Sequence, residues 1–164
     1  MSEISVFNEI VTHQIQAVML HDDLANMFDF LCLKGFKRQQ EYYAMKEFAE
    51  MRGTCRYMIN HLNSLPDGSG SSRYTEIIPS AWRKATRFEV SENERRAKVK
   101  DLLMTWHKWE TESKDFYQKK SKEMCEYGAI TSSIKINEIL EGVDKEVKKI
   151  ERCVLKLSAT SWDM

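Results

Sequence analysis

Apolar residues recur along this chain at alternating spacings of three and four, the signature of one helical face, in four separate stretches. In the first, about residues 4–31, the row reads Phe7, Ile10, Gln14, Ala17, His21, Leu24, Phe28, Leu31. Gln14 and His21, one heptad apart, are polar interruptions of an apolar seam. Cys32 to Gly35 break the pattern, and Gly35 suits a helix-to-helix connection. The second stretch, about residues 36–65, carries Ala44, Phe48, Met51, Cys55, Met58 and Leu62. At about 100° per residue the adjoining sector holds Tyr43, Glu47, Glu50, Thr54, Tyr57 and His61, which sets Glu47 between aromatic and apolar neighbours. A carboxylate there is costly to bury unless it is paired or holds a cation.

Pro66, Asp67, Gly68, Ser69, Gly70, Ser71 and Ser72 end the second helix, and no periodicity returns before Ser91. Ser91 with Glu94 three residues on is a capping box, so a third helix starts there and runs to about Met124. Its seam reads Val99, Leu103, Trp106, Glu110, Ser113, Tyr117, again with one carboxylate in a mainly apolar row. Residues 126–131, with Gly128, predict a turn. Ile136, Leu140, Val143, Val147, Ile150, Val154 and Leu157 then mark a fourth helix, with Glu146 on its flank. Two helices, a long crossover and two more helices predict an all-α antiparallel four-helix bundle, in which the crossover joins helices two and three. One domain spanning residues 1–164 is expected.

Composition supports long helices, since only two prolines and six glycines occur. The 25 basic and 25 acidic residues balance, so no global field favours nucleic acid, and no specific nucleic-acid signal appears. No apolar run approaches the roughly 18 residues that span a bilayer. The start of the chain lacks the basic and apolar regions of a secretory signal. Cys32, Cys55, Cys125 and Cys153 form no CxxC pair, which argues against a zinc knuckle and for reduced, mostly buried thiols. A cytoplasmic location without membrane attachment follows as the expectation. Trp106, Trp109, Phe116 and Tyr117 are spaced for packing, and Lys119, Lys120 and Lys122 read as a solvated helix end. No phosphate-binding loop or nucleophile motif is present.

From Asn8 to Leu157 the chain resembles ferritin. Gln14-Ile15-Gln16-Ala17 resembles the first-helix stretch where ferritins carry a metal-binding glutamate, and Leu33-Lys34-Gly35-Phe36 resembles the turn into the second helix. Glu47 and Glu50 match the second-helix Glu-x-x-His. Trp109-Glu110 matches a third-helix glutamate ligand, and Lys145-Glu146-Val147-Lys148-Lys149-Ile150 resembles the fourth-helix stretch near the oxidation site. Gln14 stands where the family has glutamate, Glu50 where it has histidine, and His21 where it has a tyrosine. The chain stops soon after the fourth helix, without the short fifth helix of large ferritin cages.

The resemblance implies a ferritin-like fold and a pair of iron ions, or manganese or another divalent ion, bound by Glu47, Glu50, Glu110 and Glu146 with Gln14 and His21 as neutral supplements. Four carboxylates neutralise two divalent ions. It further implies ferroxidase-type oxidation or storage of iron, and a homodimer or larger homo-oligomer. The alternative is a metal-free structural or protein-interaction module in which Glu146 is a solvated flank residue, Glu50 a surface ion-pair partner and His21 a hydrogen-bonded core histidine.

Overall fold

In the computed structural model, residues 2–71 and 77–158 are described. Four long helices form where the periodicity runs: α1 (Glu3–Phe30), α2 (Lys34–His61), α3 (Glu92–Tyr127) and α4 (Ile130–Ser158), with a short 3-10 turn at Ser80–Trp82 in the crossover. No strand occurs among the described residues. Two antiparallel pairs separated by a long crossover give the element order of an antiparallel four-helix bundle, broadly consistent with a ferritin-like architecture. The chain divides into two compact units, Met1–Val90 and Ser91–Met164. The stretch after Ser158, expected to add no fifth helix, lies outside the described residues, as does Ser72 of the helix-ending run.

In the first unit α1 starts at Ser2, whose side chain accepts a hydrogen bond from the Ser5 amide at 3.1 Å and so satisfies one of the free donors at the helix end. It closes with a left-handed residue: the Leu33 amide donates to Phe28 O and the Cys32 amide to Asp29 O, while Cys32 takes φ 63°. This is the Schellman arrangement. The left-handed position falls on Cys32 and not on Gly35, which already lies inside α2. Phe7 against Tyr57 and Phe28 against Phe36, each with ring centroids 5.0 Å apart, fix the antiparallel register of α1 and α2.

The crossover follows α1. Asp67 donates its amide to Asn8 Oδ1 at 2.8 Å, Ser71 Oγ donates to Thr12 O, Trp82 stacks on Phe30 and Arg87 donates to Asp29 O at 3.1 Å. The chain therefore crosses from the first turns of α1 to its last. A Cβ at Gly68 would meet the terminal methyl of Ile15, so a larger residue there would require the Ile15 side chain to turn away.

In the second unit Ser91 caps α3, its Oγ accepting from the Glu94 amide at 3.2 Å. Gly128, at φ 86°, closes α3 with the same Schellman pattern. Lys114 with Asp144 at 2.8 Å and Ser121 with Ser133 at 3.0 Å set the antiparallel register of α3 and α4. The turn is shorter than residues 126–131, because α3 continues to Tyr127 and α4 starts at Ile130. A small polar cluster accounts for the early start: Ser133 Oγ donates to Ser121 O, and Ser121 Oγ donates to Asn137 Oδ1 at 2.7 Å. These bonds let a segment without apolar periodicity pack as helix.

Several expected faces shift. Phe48, assigned to the apolar row of α2, is 47% exposed, whereas Tyr43, Glu47 and Thr54 of the adjoining row are buried. All four cysteines are free thiols, but Cys32 and Cys125 are exposed and Cys55 and Cys153 half-buried. Lys120 is not solvated. Its stem is buried, its ammonium lies 5.5 Å from the Phe116 ring centroid and 3.4 Å from Glu123 Oε2, so charge and ring offset the desolvation of the amine. Trp106, Trp109 and Tyr117 are buried as their spacing predicts.

Candidate functional site

Each helix pair carries buried polar groups where an ordinary core would be apolar. In the first unit the α1–α2 register places residue pairs level when their numbers sum to a little over 60, as the Phe28–Phe36 and Phe7–Tyr57 contacts do. Gln14 then falls level with the Glu47–Glu50 turn of α2, and His21 with the Gln40–Tyr43 turn. His21 and Gln40 are both fully buried, and His21 Nδ1 lies 2.7 Å from Gln40 Oε1. The Tyr43 ring packs against the imidazole with centroids 5.6 Å apart. Glu47, one turn beyond Tyr43, is 6% exposed, and its carboxylate oxygen comes within 4.8 Å of a His21 ring nitrogen.

Gln14 is completely buried, and neither its amide oxygen nor its amide nitrogen has a hydrogen-bond partner among the described residues. Burying such a group costs about 1–3 kcal/mol for each unmade bond. A leucine would fill the same position in the α1 seam without that penalty, so the amide suits a polar occupant of this layer. Glu50, a turn further along α2, is only half-buried, and its backbone oxygen accepts from Thr54 Oγ1 at 3.2 Å.

In the second unit Glu110 is 1% exposed and accepts a hydrogen bond from the indole Nε1 of Trp106 at 3.3 Å. Both residues lie on one face of α3 because they are four apart. Burying a carboxylate is costly unless it is hydrogen-bonded, paired or bound to a cation. Glu146 on α4 is 3% exposed; it is a buried residue, not a solvated flank. The helix turns far enough between Val143 and Ile150 that position 146 shares their inward face.

Of the six residues singled out from the sequence, Gln14, His21, Glu47, Glu110 and Glu146 are buried and Glu50 is half-buried. Sequence reasoning missed Gln40 and gave Tyr43 no role at the site. The signal for both was present: Gln40, Tyr43 and Glu47 are spaced three and four apart, an inward row in its own right.

No family model matches the chain, and no curated protein matches it. The likeness to ferritin therefore stands on the residues quoted above and on the helical architecture. No helix among the described residues is long and apolar enough to cross a membrane.

Proposed function

We propose that the protein binds a divalent metal ion through His21, Glu47 and Glu110. The observation that carries this reading is that a His21 ring nitrogen and a Glu47 carboxylate oxygen lie within 4.8 Å of each other, and that all three side chains are buried. Two carboxylates balance a charge of two, and a neutral imidazole adds a third donor without adding charge. The mixed nitrogen and oxygen set suits Fe(II), Mn(II) and similar first-row ions. Cation binding also offsets the cost of taking two carboxylates out of water.

The resemblance extends the proposal to a di-metal centre with ferroxidase or iron-storage activity. A second ion would draw on Glu146 and Glu50, with Gln14 as a neutral donor, so that four carboxylates face two divalent charges. Iron would supply the redox chemistry. The protein's share is to hold the ions among buried carboxylates and keep bulk water away. The free thiols are in keeping with a reducing, cytoplasmic setting.

A second reading, an interaction module that works without metal, is favoured by the exposed apolar side chains Tyr42, Met45, Phe48 and Ile59 on α2. The same surface supports the homodimer. Metal analysis of protein purified without chelator, followed by anaerobic Fe(II) titration, decides between the readings. One ion per chain supports the triad, two support the di-metal extension, and none leaves the interaction module.

A further inference from the structure

We infer that Gln40 is a positioning residue that locks His21 in the tautomer whose Nε2 carries the lone pair for a metal ion. The inference rests on the proposed metal-binding reading and concerns a residue outside its ligand set.

An amide oxygen only accepts hydrogen bonds, so the 2.7 Å contact between Gln40 Oε1 and His21 Nδ1 requires the proton on Nδ1. In neutral imidazole the lone pair is then on Nε2. Both side chains are fully buried, so bulk water does not compete for either ring nitrogen. Tyr43, with its ring tilted 33° to the imidazole, limits the planes the ring can adopt. Gln40, Tyr43 and Glu47 follow one another at spacings of three and four along α2, so a single helix face orients the histidine, packs its ring and presents a carboxylate. The partner is an amide and not a carboxylate. It fixes the tautomer without adding a negative charge to a site whose carboxylates already balance one divalent ion.

The test reads the tautomer and the affinity separately. Long-range 15N–1H correlation spectra of metal-free protein labelled in histidine, with His21 assigned by H21N, should show a protonated Nδ1 and an unprotonated Nε2. Q40M should lose this preference, while Q40E, which keeps the acceptor, should retain it. Titration with Co(II), read by its ligand-field absorption, should show affinity about 10- to 100-fold weaker in Q40M and restored to within a few-fold in Q40E. A protonated Nε2 in the metal-free wild type overturns the inference, and that spectrum needs no variant to fold. Unchanged Co(II) affinity in a folded Q40M also overturns it. A wild-type protein with the expected tautomer that binds no Co(II) overturns the metal-binding reading alone and upholds the role of Gln40 in fixing the ring.

Discussion

Replacing Glu47 and Glu110 together by Gln removes two charges while keeping size and hydrogen-bonding shape. Glu110→Gln still offers an oxygen to the Trp106 indole, which now donates at 3.3 Å. A buried carboxylate costs more to hold out of water than an amide of the same size. The metal-free double variant should therefore melt at the wild-type temperature or above it. The metal response should move the other way. With free metal at about 100 times Kd, the wild type gains about 2.7 kcal/mol, or about 5–10 °C in a domain of this length. The variant should lose most of that gain. Differential scanning calorimetry with and without Mn(II) or Co(II), paired with circular dichroism at 222 nm to confirm helix content, measures both. An equal metal-dependent rise in wild type and double variant would refute the site. A higher melting temperature in the variant, with no metal response in either protein, would mark the carboxylates as buried liabilities and favour the interaction module.

Three further outcomes follow from individual groups. Burial lowers the pKa of His13 from 6.5 to about 4, so the unfolded chain binds its proton first as pH falls. Stability present above pH 6.5 should then decline as pH drops towards 4, by about 2 kcal/mol once partial exposure is allowed for, and H13Q should flatten that part of a urea-denaturation profile. At the α1–α2 turn, Cys32→Gly relieves a left-handed residue at φ 63° costing about 1–2 kcal/mol, less the roughly 0.5–1 that glycine loses in chain entropy, so a net gain of up to about 1 kcal/mol should appear in the denaturation midpoint. Light scattering at micromolar concentration should give at least a dimer mass, and M45K with F48K on α2 should lower it. A wild-type monomer in both metal-free and metal-loaded buffer would exclude the dimer.

The helices were legible because their seams and boundaries repeat a local code. Ser91 with Glu94 marked the start of α3, and Ser91 does cap it. Gly128 marked its end and does take the left-handed conformation. Where boundaries slipped, the determinant was not periodic. α4 begins early on a polar cluster of Ser121, Ser133 and Asn137, and the α1 turn places Cys32 where glycine would be read.

The site was partly legible for a related reason. Gln14, His21, Glu47 and Glu110 drew attention as polar flaws in or beside apolar seams, and all four are buried. Gln40 drew none, although it shares an inward row with Tyr43 and Glu47, since its immediate neighbours along the chain form the polar run Lys37-Arg38-Gln39-Gln40-Glu41. Its burial depends on a partner 19 positions earlier, a distance no helical period links. Ligands interrupt a pattern and can be found from it, whereas a residue that orients a ligand is defined by its partner. Spacing marks Gln40 as an inward residue, but its role emerges only once the register of α1 against α2 places His21 beside it.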